Sequence, residues 1–315
     1  MPLGLRRGTV TAIGERLDGL FRLEVDGIAC VAYPRLTGEV EVGDEVLVNE
    51  QARLLELGSG GFDVLYANLT RGLGLRPEEG AHVMALPYTP GQVALRWGEE
   101  SAELPEGLDG MPIVLCTLHS QVAPVCAALA GQRVAYVQVS GGALPVSLSD
   151  AVRALKEREL LRTAIAVAPC FDGDVDCITS AAAFAWAERT GYDAAVCAVG
   201  PGIVGTGSRF GHGALSLADA ANVAAALGGR PVLTIRMSEA DPRERHRGVS
   251  HHTQSVLDLC LGELVVAWPD EIATDGWENA CAGLPLLHMG RGPEEDPAFF
   301  RAAYAAGVVA SGMLA

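Results

Sequence analysis

Two hydrophobic rhythms divide the chain. From about Thr9 to Leu69, short runs alternate apolar and polar positions between glycine turns: GTVTAI, FRLEVDGIACVAY and VEVGDEVLVN. A period of two marks strands with one buried face, so a small β-barrel or sandwich is expected. The alternating Val40, Val42, Val46 and Val48 are broken by Gly43-Asp44, a turn pair, which predicts adjacent strands with one apolar face inward. Residues 71–112 mix glycine, proline and acidic residues with strand-like pieces such as HVMAL and QVALRW. The join is expected near Leu108, giving domains of residues 1–108 and 109–315.

Beyond Gly110 the rhythm becomes strand, loop, helix, repeated. PIVLCT precedes a helix near Gln121 to Ala130, RVAYVQV one near Leu148 to Leu161, and TAIAVA one near Ile178 to Thr190. AAVCAV with Leu217 to Leu227, PVLTIRM with Thr253 to Leu261, ELVVAW, PLLHM and a last helix near Pro297 to Ala306 complete the series. The alternation predicts a Rossmann-like α/β domain, a mostly parallel sheet with helices on both faces, preceded by a small N-terminal β-barrel-like domain. The punctuation agrees. Ser216 with Asp219 resembles a capping box, Gly191 and Gly228 stand where left-handed caps belong, and Ser149 or Asp150 opens the Val152 helix. No internal repeat is visible.

With 315 residues and 49% hydrophobic content, the chain can fill two cores. A formal charge of −16 opposes nucleic acid and anionic membrane surfaces as bulk partners. No apolar run approaches the roughly 18 residues of a spanning helix, and MPLGLRRGTV lacks an apolar h-region, so a cytoplasmic location is expected. The eight cysteines have no CxxC or finger spacing. They read as small buried hydrophobes in a reducing compartment, with neither structural zinc nor a disulfide framework.

Ligands in open α/β sheets bind beyond the carboxyl ends of the strands. Six loops leave those ends: Thr117 to Gln121, Ser140 to Pro145, Pro169 to Cys177, Gly200 to Gly213, Ser238 to Thr253 and His288 to Gly292. Together they hold most of the histidines. The densest stretch, Ala194 to Thr253, joins a glycine loop, GPGIVGTGSRFGHG, to an arginine and histidine loop, SEADPRERHRGVSHHT.

Gly200-x-Gly202-x-x-Gly205 follows a strand as a dinucleotide fingerprint does, but no helix opens at the third glycine and no acidic residue stands at the ribose position. Thr206 replaces the lysine a P-loop needs, so the sequence names no cofactor. Bare N–H groups of Gly200, Gly202, Gly205, Thr206 and Gly207 would suit an anion; a tight turn under a lid is the plainer alternative. Arg243, Arg245, His246 and Arg247 stand in an otherwise acidic chain just before a predicted helix N-terminus at Ser250 to Thr253, and suit phosphate or carboxylate. Salt bridges between domains or subunits are the competing role.

His251 and His252 are adjacent, so on a helix they diverge by about 100° and do not easily share one metal. One of them with His212, His119 or Asp241 makes a site, or serves as acid and base near neutrality; a histidine hydrogen-bonded in a loop is the bland reading. Asp172, Asp174 and Asp176 fail as a calcium loop, since Cys177 and Ala183 stand where glycine and glutamate are due. They hold a divalent ion beside a phosphate or cap the Ile178 helix. Cys170, at a strand end, is the one candidate nucleophilic thiol, against a buried thiol as the ordinary reading.

With GPGIVGTGSRFGHG, SGGALPVSLSD and SEADPRERHRGVSHHT in view, the chain resembles an uncharacterised bacterial family, the domain of unknown function 3866. The resemblance covers essentially the whole length, and GPGIVGTG and RHRGVSHHT are its specific segments. It implies an architecture and no activity, and it implies that Gly200 to Thr206 and Arg245 to Thr253 belong to the family signature. The chain departs from the family pattern around Pro169-Cys170, which counts against Cys170 as a nucleophile.

Two classes of function follow. An enzyme would bind a small anionic or phosphorylated metabolite or nucleotide between the two loops, with His212, His251, His252 or Asp241 moving a proton. A binding or sensor module would hold the same ligand without turnover and act through a partner or a homo-oligomer. A homo-oligomer is expected in either case, with neither nucleic acid nor membrane as partner.

Overall fold

A computed structural model describes residues 3–56, 61–101 and 103–314. The chain forms two compact units, Met1–Leu95 and Arg96–Ala315. The break therefore precedes Leu108, which is fully buried in the second unit and donates its N–H to the Leu227 carbonyl at 2.8 Å.

The first unit is built on strands β1 (Leu5–Leu17), β2 (Leu20–Val25) and β3 (Ile28–Ala32), the short helix α1 (Pro34–Thr37), β4 (Glu45–Asn49), the short helix α2 (Gln51–Leu54) and β5 (Asp63–Asn68). They close a barrel in the order β1-β2-β3-β5-β4. β1 spans the closure because it is long: residues 5–9 pair with β4 and residues 10–17 with β2, with register shifts after Val10 and Ile13. Asp26-Gly27, both at positive φ, makes the tight β2–β3 hairpin. Val10, Leu23, Val25, Val46, Val48 and Leu65 fill the interior, as the period of two predicts. β6 (Val83–Ala85) and β7 (Val93–Leu95) form a separate antiparallel pair.

One expected strand is missing. Val40 to Val42 pairs with nothing as a strand, although Val40 is fully buried. Gly43-Asp44 instead docks on β1 through Gly43 N–H to Val10 O and Val10 N–H to Asp44 O, each 2.9 Å. The buried Asp44 carboxylate accepts from Arg71 Nε and Nη2, Asn68 Nδ2 at 2.8 Å and Glu41 N–H at 2.9 Å. It holds the connection in place of a strand ladder.

The second unit carries β8 (Pro112–Cys116), β9 (Val134–Val139), β10 (Thr163–Val167), β11 (Val175–Cys177), β12 (Ala194–Val199), β13 (Arg230–Thr234), β14 (Met237–Ser238), β15 (Gly248–Val249) and β16 (Val265–Ala267). Its helices are α3 (Val122–Ala128), α4 (Asp150–Glu157), α5 (Ser180–Thr190), α6 (Ser216–Ala226), α7 (His251–Leu257), α8 (Trp277–Ala280) and α9 (Pro297–Gly312). Seven strands make one sheet in the order β11-β10-β9-β12-β8-β13-β16, and every pair in it is parallel. The continuous apolar runs are explained by burial on both faces. Val114, Cys116, Val134 and Tyr136 pack toward α3, α8 and α9, while Ile113, Leu115, Ala135 and Val137 pack toward α5 and α6.

Some local expectations change. PLLHM is not a strand; His288 makes only an isolated bridge to Arg291. Leu215 rather than Ser216 stands at the N-cap of α6, because a 3-10 turn, Gly213–Leu215, runs into the helix. Ser149 caps α4 through Val152 N–H, and Gly191 ends α5 at φ 80. No helix of the described residues is long and apolar enough to cross a membrane.

Burial alone would raise the Asp44 carboxyl, but the hydrogen bonds from Arg71, Glu41 N–H and Asn68 outweigh it and hold it below the ordinary value. A lowered folded value means stability that is present above about pH 4 and is lost as the pH falls through the carboxylate range. Asp44→Ala should lower the melting temperature of the barrel transition by about 5–10 °C at pH 7. The loss should shrink below pH 4, as followed by thermal denaturation monitored by circular dichroism.

Candidate functional site

The sheet order puts β8 between β12 and β13, so the two strands are not neighbours as their single crossover suggested. The connections leaving β8 and β13 step to opposite sides of the sheet, which makes this a switch point of the kind at which open α/β sheets gather ligands. The loops after β12 and β13 meet there.

The loop after β12 folds back on itself. Thr206 N–H donates to Gly211 O at 2.7 Å, Gly213 N–H to Val204 O at 2.9 Å, and Gly205 bridges His212. Of the amides expected to be bare, that of Thr206 is thus consumed within the loop. Its glycines serve close approach rather than a nest: a Cβ on Gly200 would lie 2.1 Å from Ala143 O, and one on Gly213 2.0 Å from Gly141 O. Gly202 and Gly207 sit at positive φ. The outcome is a hairpin that carries His212 inward, 7% exposed.

The loop after β13 is organised by buried charge. Asp241, fully buried, accepts from Arg243 Nε at 2.9 Å and Nη2 at 2.8 Å, and from Arg291 Nη2 at 3.4 Å, with Arg236 Nη2 3.9 Å away. Ser238 Oγ donates to Asp296, which also pairs with Arg291. The two-stranded ribbon β14–β15 closes the base of the loop. Burial alone would raise the Asp241 carboxyl, yet the Arg243 hydrogen bonds hold it far below the usual range. Asp241 is therefore a permanently ionised hub, not the proton carrier expected.

From this frame four histidines converge. Arg236 Nη1 donates to His252 Nδ1 at 2.9 Å. His252 stacks on His212 at 4.0 Å between ring centroids, and His251 stands 4.5 Å from His252 and 5.4 Å from His212. His246 lies 4.8 Å from His251, with Nδ1 2.7 Å from Ser250 Oγ. Both nitrogens of His212 and Nε2 of His251 are buried with no hydrogen-bond partner among the described residues. The Arg209 carbonyl acts on His212 without reaching hydrogen-bond geometry.

Burial, reinforced by the Arg236 charge, pushes His252 down to about 2 and His246 to about 3. Burial also lowers His212 and His251. At neutral pH these rings are uncharged. One nitrogen each of His212, His251 and His252 falls within 4.8 Å of the other two. The expectation that neighbouring histidines diverge therefore fails here: His212, arriving from another loop, meets both rings at the first turn of α7.

The remaining candidates scatter. Arg245 is exposed and its guanidinium carbon would lie 3.7 Å from a Cβ on Gly207, which ties the two loops together. Arg247 is also exposed, and neither arginine pairs with a carboxylate among the described residues. Ser250 caps α7 by accepting His252 N–H, the second amide of that seven-residue helix. His119 is tied to Ser149 Oγ at 2.6 Å and to Val199 O at 3.3 Å, and burial pushes it down to about 4.

Asp172 belongs to the loop after β10, four sheet positions from β13, or roughly 19 Å at ~4.8 Å per strand. Its neighbour Asp174 braces β10 through Ala164 N–H, and Thr179 rather than an aspartate caps α5. Cys170 is buried and pushed up to about 12 by desolvation, so it offers no thiolate at neutral pH. Sequence reasoning missed Arg236, Arg291 and Asp296. The available signal was an arginine ending an otherwise apolar strand, LTIRM.

A sequence model of the family described as Protein of unknown function (DUF3866) matches residues 29–280. The chain belongs to that family. The match starts within β3 and stops at the end of α8, so it spans less than the whole length that the resemblance implied. It includes both loops that build the histidine cluster, while Arg291 and Asp296 lie beyond it. No curated protein matches the chain.

Removing Asp241 would leave three guanidinium groups facing one remaining carboxylate. Asp241→Ala should cost about 3–5 kcal/mol, read as a fall of roughly 10 °C in melting temperature. Because its folded carboxyl value lies below the unfolded one, this contribution should be complete above about pH 4 and fade only in stronger acid.

Proposed function

We propose that the protein is an enzyme acting on a small anionic metabolite, a phosphate or carboxylate compound, at the junction of the loops after β12 and β13. The observation that carries this reading is the pair of guanidinium groups there, Arg245 and Arg247, left without a carboxylate among the described residues beside three arginines held on two buried ones. Arg236, Arg243 and Arg291 face the two carboxylates of Asp241 and Asp296, and exposed Arg245 and Arg247 add two guanidinium groups with no carboxylate of their own among the described residues. In a chain of net charge −16, exposed guanidinium groups without a carboxylate partner suit a small anion.

An enzyme is favoured over a silent binding module by the histidines. A buried, unpaired polar atom costs about 1–3 kcal/mol, and His212 carries two. Reactive groups repay such a cost during turnover; a module that only holds an anion has no use for it. The chain's eight free cysteines, seven of them buried, suit a reducing compartment, and we place the protein in the cytoplasm.

Because Arg245 and Arg247 are exposed and have no carboxylate partner among the described residues, the double variant Arg245→Ala/Arg247→Ala should keep the unliganded melting temperature within a few degrees. Phosphate, citrate and nucleoside phosphates should raise the wild-type melting temperature with concentration. At least one of them should do so much less for the variant, by about tenfold in apparent affinity. A wild type indifferent to every anion, or a double variant that unfolds outright, would make these arginines structural.

A further inference from the structure

We propose that His212, His251 and His252 bind one divalent first-row transition-metal ion, zinc or a close neighbour, at the carboxyl edge of the parallel sheet. The proposal stands on geometry and does not depend on the anion reading.

Three imidazoles from two different loops bring one nitrogen each to within 4.8 Å of the others. At a metal–nitrogen distance of ~2.0–2.1 Å, tetrahedral ligand atoms lie about 3.4 Å apart, so the widest separation needs to close by roughly 1.4 Å. Small side-chain rotations supply that. Ligated imidazoles have centroids about 3.2 Å from the ion and hence about 4.5–5.2 Å from each other at 90–109°. The His251–His252 separation of 4.5 Å lies in that range and the His212–His251 separation of 5.4 Å just above it, while His212 and His252, stacked at 4.0 Å and 16°, come to share an ion when one ring turns about its χ angles to bring its in-plane lone pair onto the site.

The second observation is the set of orphaned atoms. His212 is 7% exposed and both of its nitrogens lack a partner among the described residues, as does Nε2 of His251. Buried imidazoles almost always use at least one nitrogen in a hydrogen bond or on a metal. Imidazole binds metal in its neutral form.

His252 is already oriented. Arg236 donates to its Nδ1, so the nitrogen turned away from Arg236, Nε2, is the one open to an ion. Ligation at Nε2 moves the ring proton to Nδ1, and Arg236 then turns to Asp241, 3.9 Å away. The Asp241 and Asp296 carboxylates moderate the surrounding guanidinium charge. Three neutral ligands leave at least one position on the ion for water or an anion, the pattern of a catalytic rather than a purely structural zinc site.

The test uses the full chain, stripped with EDTA, equilibrated separately with zinc and cobalt(II), and freed of excess metal by gel filtration. Elemental analysis should find about one ion per chain, and the cobalt form should show the visible absorption of a low-coordinate nitrogen site. His212→Asn and His251→Gln should each lower retained metal by about tenfold or more. His82→Gln, in the barrel unit, should retain it, and so should Arg245→Ala/Arg247→Ala, which separates this site from the anion reading.

Circular dichroism of the stripped variants confirms their folding, and half-exposed His251 keeps the test usable if the His212 change does not fold. Wild-type protein that keeps less than about a tenth of an ion per chain, or metal retained equally by both histidine variants, would overturn the proposal.

Discussion

The carboxylate of Asp241 is the constraint on which the rest of the candidate site depends. A fully buried charge persists only when paired and hydrogen-bonded, and Asp241 gathers Arg243, Arg291 and Arg236 to meet that demand. Each pairing fixes something further. Arg243 turns the loop after β13, Arg291 draws in the segment before α9, and Arg236 carries the constraint onward to His252 Nδ1. The position of a ring on α7 is thus set by a carboxylate in another part of the loop.

The glycine loop answers that frame from the other side. The backbones at Gly141 and Gly213, and at Gly142 and Gly200, approach too closely for any side chain, which presses the loop after β12 against the loop after β9. The folded-back hairpin of residues 204–213 then has one direction in which to send His212, toward α7. Rigid backbone contact on one side and buried ion pairs on the other meet at the stacked pair of His212 and His252.

The α/β unit was legible because strands buried on both faces are continuous apolar runs, and PIVLCT, RVAYVQV, TAIAVA and AAVCAV all became parallel strands of one sheet. The barrel was legible through its period of two, save where Asp44 replaced a strand with a polar anchor. Strand order was not legible: local pattern says nothing of β8 sitting between β12 and β13. The site was half legible. His212, His251, His252 and Arg245 stand out by residue type, but Arg236 is a single polar residue at the end of an apolar strand, and the glycines look alike whether they bind a ligand or admit a neighbouring loop. The convergence of His251 with His252 was hidden because helical angles separate two neighbours only until a third ring arrives between them.

The crowding of the four rings also limits their charge state. Two protonated imidazoles about 4 Å apart repel by roughly 4 kcal/mol at an effective dielectric near 20, and each faces Arg236 as well. The cluster is therefore compatible with the fold only while it is essentially uncharged. Each neutral imidazole offers one lone pair and one N–H, and among the described residues the chain provides no partner to either nitrogen of His212. The arginines that would attract an anion thus also hold the rings in the state that accepts a cation. A site with both properties would accommodate opposite charges side by side, an arrangement that neither the arginines nor the histidines would sustain alone.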